Sequence, residues 1–348
     1  MRTVTLRPED YQPHTPAKRD YGISVVGCGG IANGAHLPAY QKFGYRVLAC
    51  CDIRPEAVEA TMQKHGIPKG GTDIRVVLDD PEIQIVDLAV HASQRPPLVA
   101  QIAEAGKHIL SQKPFAMNMA DAQKMVETAE RAGVTLMVNQ QARWAPIHRA
   151  MKLVVDSGVL GHIYSVLHVL RSFQDVEGSW YVALENFNII DHGIHYIDLS
   201  RYFTGRTPVR VKATTTMMPG QHAVSPMIYT ILGEYDTDLM TTLHFNNIVQ
   251  APGLRGQTWH IDGTDGSLTV TSSTLEVCLR ESPDEKQVIQ VHGSWFPDAF
   301  GGSMGELMQA LSDGREPQTS GRDNLNSLGV ACAAVESSRT GRAVELSG

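Results

Sequence analysis

Hydrophobic and polar positions follow two different patterns along this chain, and the pattern changes near residue 145. In the first part, short apolar runs are separated by segments in which apolar residues recur every three or four positions. The runs that we interpret as strands are 22–26, 45–51, 85–90, 108–110 and 134–139. Buried strands that alternate with helices predict a parallel sheet with helices on both faces, and therefore an α/β domain.

The second part contains longer runs in which every other residue is apolar, as in strands with one buried face. These runs lie at 163–171, 209–217, 227–233, 239–246, 259–263, 267–270 and 274–279. Asp265 and Gly266 form a typical hairpin turn between two of them. Helical spacing appears at 146–157, 191–203, 305–312 and 324–340. The pattern predicts an α+β domain with an open, mainly antiparallel sheet, whose open face suits packing against another subunit.

These patterns divide the chain into three parts. Residues 1–20 are polar, contain prolines and lack the apolar core of a signal peptide. We interpret them as a flexible leader or as an arm that packs on a neighbour. Residues 21–145 form the predicted parallel-sheet domain, and residues 146–348 form the predicted second domain.

The first apolar run leads directly into a glycine-rich turn and then into a helical segment. A strand, a tight turn and a helix start in this order are what a dinucleotide phosphate site requires. Gly27 permits the sharp turn, Gly29 permits the backbone to approach a pyrophosphate, and Ala32 permits close helix–strand packing. We therefore predict a Rossmann-type nucleotide site whose turn consists of Gly27, Cys28, Gly29, Gly30, Ile31 and Ala32.

An acidic residue follows the second predicted strand at the spacing that nucleotide-binding folds use for the adenosine ribose. Asp52 lies 20 residues after Ala32, and its negative charge would repel a 2′-phosphate, so the sequence favours NAD over NADP. Arg54 leaves NADP open, because a guanidinium at that position can pair with the phosphate. The alternative role for Asp52 is a structural one, as the cap of a helix that begins near Pro55.

Further candidates lie in the loops after the predicted strands, because ligands bind at the carboxyl ends of parallel strands. On the cofactor side they are His91, Arg95, Gln112, Lys113 and Gln140. Lys113 directly follows a strand and precedes a proline that restricts the direction of the chain, which favours a functional role. A solvated surface lysine is the alternative interpretation.

One segment of the second part combines an acid and an imidazole at the start of a predicted helix. Asp191 and His195 are four residues apart, so on a helix they share a face. An acid next to a histidine can orient the ring and raise its basicity, as a proton-transfer site requires. Two alternatives stay open: Asp191 as a helix cap with His195 as a buried structural histidine, and a metal site with His192. No further ligand cluster completes a metal site, so we expect no bound metal.

Net charge, the length of apolar runs and cysteine spacing narrow the classes of ligand and compartment that suit this chain. The formal net charge is -7, which disfavours binding to nucleic acid or to an acidic membrane surface. No apolar run is long enough to span a membrane. The five cysteines form no paired or metal-like spacing, as expected for free thiols in a reducing cytoplasm.

Three motifs together resemble the Gfo/Idh/MocA oxidoreductases: the turn Gly27–Ala32, the Lys-Pro pair at Lys113, and the Asp-x-Gly-x-His segment that starts at Asp191. The resemblance implies an NAD(P)-binding first domain and a C-terminal domain that binds substrate and forms a homodimer or homotetramer through its open sheet. It also implies that Lys113, Asp191 and His195 surround the substrate, which in this family is mostly a cyclic sugar, an inositol or a related polyol. Gln112 departs from the family, which usually has a glutamate before the lysine.

The resulting hypothesis is reversible hydride transfer between a secondary alcohol and NAD(P). His195 or Lys113 accepts the hydroxyl proton, Asp191 orients the histidine, and Lys113 stabilises alkoxide charge. We expect substrate contacts from these three residues and from Arg143, Trp144, Asn188 and His192. Two alternatives stay open: NAD-dependent glycoside hydrolysis or elimination through transient oxidation, and a non-enzymatic NAD sensor.

Overall fold

The structure is a computed structural model that describes residues 3–346, and the chain forms two compact units. The parallel-sheet unit consists of Gln12–Pro146 and Gly293–Leu325. The mixed-sheet unit consists of Ile147–His292 together with residues 3–11 and 326–346.

Strands and helices have the following bounds. The strands are β1 (Gly22–Val26), β2 (Arg46–Cys51), β3 (Lys69–Gly71), β4 (Ile83–Leu88), β5 (His108–Gln112), β6 (Leu136–Asn139), β7 (Ile163–Arg171), β8 (Arg210–Thr216), β9 (Ile228–Glu234), β10 (Met240–Asn246), β11 (Gly256–Gly263), β12 (Gly266–Thr271), β13 (Thr274–Leu279), β14 (Ser282–Gln290) and β15 (Val344–Glu345). The helices are α1 (Pro8–Tyr11), α2 (Leu37–Phe43), α3 (Pro55–His65), α4 (Arg75–Leu78), α5 (Arg95–Glu104), α6 (Met119–Arg131), α7 (Pro146–Asp156), α8 (Ile194–Thr204), α9 (Asp298–Asp313) and α10 (Gly321–Thr340). Two π-helical turns precede α2 and α8, namely Ala32–His36 and Asn188–His192.

Strands β1 to β6 form one sheet in the order β3-β2-β1-β4-β5-β6, and every neighbouring pair is parallel. Strand β1 is buried along its whole length, as expected for a central strand that is covered on both faces. The order of the strands reverses between β1 and β4, which creates a crevice at their carboxyl ends where such folds bind ligands. The predicted α/β parallel sheet is confirmed.

Helix α9 packs in the parallel-sheet unit although it follows strands β7 to β14 of the mixed sheet along the chain. Glycines make this close packing possible: a Cβ atom at Gly302 would lie 2.7 Å from the Cβ atom of Trp144. The observed division therefore differs from the predicted boundary, which assigns all of 146–348 to the second domain. The difference arises because helical periodicity indicates that α9 has a buried face, but not which sheet covers that face.

Strands β7 to β15 form the second sheet in the order β14-β13-β12-β11-β7-β10-β9-β8-β15. Strands β7 and β10 are parallel, and the other neighbouring pairs are antiparallel. Buried and partly exposed residues alternate along the central strands, and α8 packs against β7 and β10. The predicted open, mainly antiparallel sheet is confirmed.

The edges of both sheets contain strands that the apolar pattern does not indicate. Strand β3 has the sequence Lys-Gly-Gly, and β14 is mostly exposed and carries several charges. Edge strands bury few side chains and often carry charges that prevent unwanted pairing, so their hydrophobic periodicity is weak.

The beginning of the chain packs on the rest of it. Tyr11, at the end of α1, is 1% exposed, and its backbone oxygen accepts a hydrogen bond from Arg149 Nε at 3.1 Å. The Tyr11 hydroxyl accepts a second bond from the His292 amide at 3.3 Å. Residues 8–11 thus form a packed helical turn, which differs from the flexible leader or neighbour-binding arm that the sequence predicts for 1–20.

Candidate functional site

The turn after β1 has a geometry that requires glycine at its first position. Gly27 has a φ of 103°, and its amide donates a hydrogen bond to the Cys51 oxygen at 2.7 Å. A Cβ atom on Gly27 would lie 2.9 Å from the carbonyl carbon of Ala89, which follows β4. Both the backbone conformation and the lack of space therefore exclude other residues.

The next two glycines are open on the side where a side chain would lie. Beyond their immediate backbone neighbours, no described atom lies within 4 Å of the Cβ position of Gly29 or Gly30. Helical backbone begins at Gly30 and continues through the half-buried Ile31 to the fully buried Ala32. Because the first turn of a helix leaves amide groups without partners in the helix, a diphosphate can approach them here. The turn therefore fits the pyrophosphate of a dinucleotide.

The acid after β2 is fixed beside this turn. Asp52 Oδ2 accepts a hydrogen bond from the Cys28 amide at 2.8 Å, and Oδ1 accepts bonds from the amide and Nε of Arg54 at 3.0 and 3.1 Å. Burial raises the pKa of Asp52, but the hydrogen bonds from Arg54 and Cys28 outweigh burial and hold the pKa below its ordinary value. The side chain is therefore a carboxylate, as an acceptor for ribose hydroxyls should be. Arg54 itself occupies the cap position of α3, so the alternative role of Asp52 as that cap does not apply.

Lys113 follows β5 in a loop that buried amides support. Gln112 is 5% exposed, and its Oε1 accepts a hydrogen bond from Asn139 Nδ2 at 3.1 Å. Lys113 is half-buried, and its peptide bond to Pro114 is cis. The loop lies at the carboxyl edge of the parallel sheet, where the topology predicts it.

Arg95 and His91 contact the protein's own loops. Arg95 is 2% exposed, and its guanidinium donates to backbone oxygens on both sides of Lys113. His91 Nδ1 accepts a hydrogen bond from the Ser93 amide at 3.4 Å and caps the short turn before α5. Arg95 thus supports the Lys113 loop and His91 caps the turn before α5, and the cofactor contacts predicted for both stay predictions.

The residues after β6 are deeply buried. Neither Oε1 nor Nε2 of the fully buried Gln140 has a hydrogen-bond partner among residues 3–346, and such amides are normally satisfied by water or by a ligand. Arg143 is 6% exposed and donates to the Gln318 oxygen and to Asp323 Oδ2 at 3.2 and 3.1 Å. Trp144 is 4% exposed and packs on α9. Arg143 and Trp144 thus lie in the packing of the unit, which differs from the open stacking surface expected for a sugar ring.

The segment before α8 is a π-helical turn, where the sequence predicts the start of the helix itself. The Gly193 amide donates to the Asn188 oxygen at 2.6 Å, and the Tyr229 hydroxyl donates to the same oxygen at 2.8 Å. A Cβ atom on Gly193 would lie 2.8 Å from the Ile189 oxygen and 3.0 Å from the Tyr229 hydroxyl. Close packing therefore requires the glycine of the Asp-x-Gly-x-His motif.

The side chain of Asn188 is fully buried, and its polar atoms bond to other groups of the protein. Its Nδ2 donates to the Pro226 oxygen at 3.0 Å, and its Oδ1 accepts a hydrogen bond from Asn247 Nδ2 at 3.2 Å. Asn247 Nδ2 also lies 3.4 Å from His192 Nδ1. These amides connect Asn188 to the imidazole of His192, whereas the sequence predicts a direct substrate contact for Asn188.

Asp191 and His195 lie on either side of Gly193. Asp191 is half-buried in the π-helical turn, and His195 is 8% exposed in the first turn of α8. The turn contains one residue more than an α-helical turn, so the four-residue spacing alone does not place both side chains on one face. The segment keeps Asp191, His192 and His195 close along the mixed-sheet unit, and Lys113 belongs to the parallel-sheet unit.

Residues from three strands of the mixed sheet support this segment, and none of them lies among the predicted site residues. Tyr229 lies in β9, and Asn247 follows β10. His168 in β7 has ring-centre distances of 4.3 Å to both Tyr196 and Trp259. Burial lowers the pKa of His168 well below its ordinary value, so the ring is neutral. The alternation along β7 indicates that His168 faces the core, but no local motif marks Tyr229 or Asn247.

Metal binding and membrane insertion are two further possibilities for the described part of the chain. Within residues 3–346, no three or more His, Cys, Asp or Glu side chains are grouped so that they could hold a metal ion. Over the same range, no helix is both long and apolar enough to cross a membrane.

The fold and the glycine turn define the class of this protein. Residues 21–140 match the model of the Gfo/Idh/MocA oxidoreductase family with an NAD-binding Rossmann fold, and residues 148–269 match the C-terminal domain of the same family. The chain belongs to this family, which confirms the resemblance of the three motifs. It is an NAD(P)-dependent oxidoreductase.

Individual relatives extend over nearly the whole chain. The D-apiose dehydrogenase of Paraburkholderia graminis is 33% identical over 345 residues, which cover 95% of this chain and 91% of that protein. The D-apiose dehydrogenase of Rhizobium rhizogenes is 28% identical and covers 93% and 96%, respectively. The crystal structure of an oxidoreductase from Agrobacterium radiobacter in complex with NAD+, L-tartaric acid and magnesium has a TM-score of 0.85 and 26% identity, over 94% of this chain and 98% of that one.

Proposed function

We propose that this protein is a dehydrogenase of a sugar or related polyol, which transfers a hydride between an alcohol carbon and NAD. One observation carries the substrate class: the chain is 33% identical, over 95% of its length, to a D-apiose dehydrogenase. The motifs at Lys113 and at Asp191 to His195 support the same reaction, because a binding module has no need of an acid, an imidazole and an amine together.

The parallel-sheet unit would hold NAD, which when bound accepts or returns the hydride. The open glycines Gly29 and Gly30 would receive the diphosphate, and Asp52 would accept hydrogen bonds from the ribose hydroxyls. The Arg54 guanidinium lies on Asp52, with Nε 3.1 Å from Oδ1. The Asp52 carboxylate at this position would repel a 2′-phosphate, and this supports NAD over NADP.

Proton transfer would be the task of the chain's own side chains. Either His195 accepts the proton of the reacting hydroxyl while the Lys113 ammonium stabilises the charge that develops on the oxygen, or Lys113 as a neutral amine accepts the proton itself. Asp191 orients the imidazole or binds the same hydroxyl. His192 is a further substrate contact, oriented through Asn247. For Asn188, Arg143 and Trp144, burial and internal contacts support a structural role.

The mixed sheet would also form the contact between subunits, in a homodimer or homotetramer. Leu167 and Leu232, in the strands on either side of β10, both pair with Thr242 and are half-buried on the open face. Covering such residues would remove apolar surface from water. Light scattering should therefore give the mass of a dimer or tetramer, and Leu167→Asp should lower it. A reducing cytoplasm is the compartment that suits the free thiols.

A screen for NADH formation tests the proposed function. Purified protein is incubated with NAD and, separately, with aldoses including D-apiose, inositols, linear polyols and dihydrodiols, and the nicotinamide absorbance is followed. The expected result is saturable NADH formation with at least one cyclic sugar or polyol. Cleavage of an aryl glycoside without net NADH, or no reaction with any member of the panel, would contradict the proposal.

A further inference from the structure

We propose that Arg95 is a positioning residue of this active site: it fixes the backbone around Lys113 and thereby the direction of the lysine side chain. The inference rests on the proposed role of Lys113. It replaces the cofactor contact that the sequence predicts for Arg95 with a role that acts through another residue.

The guanidinium of Arg95 lies in a cluster of backbone oxygens. Nε and Nη2 donate to the Val90 oxygen at 3.0 and 2.8 Å, and Nη2 also donates to the Lys113 oxygen at 3.4 Å. Nη1 donates to three further oxygens of the same loop, those of Gln112, Pro114 and Phe115. One side chain therefore contacts four consecutive carbonyl groups, those of residues 112–115, and ties them to Val90 in the loop after β4.

Arginine is the side chain that suits this task. Its planar guanidinium carries five N–H donors, whereas the lysine ammonium carries three on a single atom. Buried carbonyl oxygens need donors, because leaving them unsatisfied disfavours the conformation that buries them. The conformation of residues 112–115 therefore depends on Arg95.

The loop is anchored on a second side as well. The Gln112 side chain accepts a hydrogen bond from Asn139 Nδ2, and both residues are buried. Lys113 lies between these two anchors and is itself half-buried. Since only 2% of Arg95 is exposed, it acts on the chemistry through the position of Lys113 and not by touching substrate.

Variants of Arg95 test this role against a merely structural one. Arg95→Met removes the donors, and Arg95→Lys keeps the charge but loses the planar fork. Arg46→Met is the matched control, since that arginine forms an exposed pair with Glu82. We expect Arg95→Met to lower kcat by about 10²-fold, as a misplaced catalytic group does, with the dissociation constant of NAD unchanged within about threefold. Arg95→Lys should recover only part of kcat, and Arg46→Met should match the wild type.

A readout without substrate separates this proposal from the proposed function. Lysines are methylated with isotope-labelled formaldehyde, and the NMR signal of Lys113 is assigned by its loss in Lys113→Arg. The signal should shift in Arg95→Met and in Arg95→Lys but not in Arg46→Met, even if no substrate has been found. If Arg95→Met does not fold, Arg95→Lys carries the same test. An unmoved Lys113 signal in a folded Arg95 variant, or a kcat within about twofold of the wild type, would overturn the positioning role.

Discussion

The turn after β1 and the turn before α8 both depart from regular geometry, but different contacts hold them. In the first, the amides of Gly27 and Cys28 bond to the end of β2 and to Asp52 just after it. In the second, a hydroxyl from another strand closes the turn, since Tyr229 donates to the Asn188 oxygen. The first turn is held by backbone and by one carboxylate next to it, whereas the second, besides needing Gly193, depends on side chains that come from elsewhere in the sheet.

This difference separates two properties of the protein. The first turn is built from backbone and one carboxylate, so its substitutions should affect cofactor affinity. The second turn carries Asp191, leads into α8 with His195, and depends on Tyr229 and Asn247, so substitutions here should affect turnover. Substitutions should therefore change NAD affinity and turnover independently.

Removing the proposed proton-transfer groups should have the largest effect. His195→Ala and Lys113→Ala should each lower kcat by about 10²-fold or more, because each removes a group proposed to move the proton or to stabilise the alkoxide. The dissociation constant of NAD should stay near the wild-type value in both. Initial rates and NAD titrations measure the two quantities, with the exposed His162→Ala as control. Near-normal turnover in either variant would remove that residue from the mechanism.

Substituting Asp52, the carboxylate beside the first turn, should weaken NAD binding but leave turnover intact. Asp52→Asn should raise the dissociation constant of NAD by about 10- to 100-fold, which corresponds to the loss of hydrogen bonds to a charged acceptor. At saturating NAD, kcat should be retained. The exposed Asp79→Asn serves as control. A dissociation constant unchanged in Asp52→Asn would show that the ribose is held elsewhere.

The pH dependence of NAD affinity adds a second test of Asp52. Its folded-state pKa lies below the ordinary value, so the carboxylate stays charged until the pH falls through that lowered pKa. The contribution of Asp52 to NAD affinity should therefore be constant between about pH 7 and pH 5. NAD titrations of the wild type and Asp52→Asn over this range should give a constant ratio of dissociation constants. A ratio that shrinks towards pH 5 would contradict the lowered pKa.

Gly34, within the turn Ala32–His36, and Gly193, directly after the turn Asn188–His192, offer a direct comparison of packing. Gly193→Ala should destabilise the protein by about 1–3 kcal/mol, because its Cβ atom would lie 2.8 Å from the Ile189 oxygen. Gly34→Ala, in the turn Ala32–His36, has open space and should stabilise by up to about 1 kcal/mol. Urea unfolding measures both. Equal effects of the two substitutions would contradict the close packing at Gly193 and the open space at Gly34.

His168 behind the second turn should give the smallest effect. Its folded-state pKa is lowered, so below about pH 6.5 the unfolded chain takes up a proton that folded His168 does not. The free energy of unfolding therefore falls on acidification, by up to about 1.4 kcal/mol per pH unit from this group. His168→Phe should make the decline shallower in urea unfolding, and the exposed His162→Phe should not. Equal slopes for the wild type and His168→Phe would contradict the assignment of a neutral buried ring.

The contrast between the turn after β1 and the turn before α8 also explains which features could be predicted from the sequence. The glycine turn, Asp52 and the parallel sheet depend on local residue types and on periodicity, and the structure places Asp52 on the Cys28 amide beside the turn. The family followed from three short motifs. The π-helical turn was not predicted, because the Gly193 amide and the Tyr229 hydroxyl that share the Asn188 oxygen are far apart in sequence.

Two further features lay beyond sequence analysis for the same reason. Helix α9 joins the parallel-sheet unit through contacts such as that of Gly302 with Trp144, which no periodicity reveals. Arg95 begins α5, after the loop that follows β4, but its donors turn inward to the Lys113 loop. A position near the carboxyl end of a strand indicates which edge of the sheet a side chain is near, but not whether it faces the ligand or the protein.

The central claim is that cofactor binding and catalysis depend on different turns of this chain. The most direct measurement determines the NAD dissociation constant and kcat on the same preparations of the wild type, Asp52→Asn and His195→Ala. We predict weak NAD binding with retained kcat at saturation for Asp52→Asn, and normal NAD binding with kcat lowered by about 10²-fold for His195→Ala. A loss of both properties in both variants would contradict the claim.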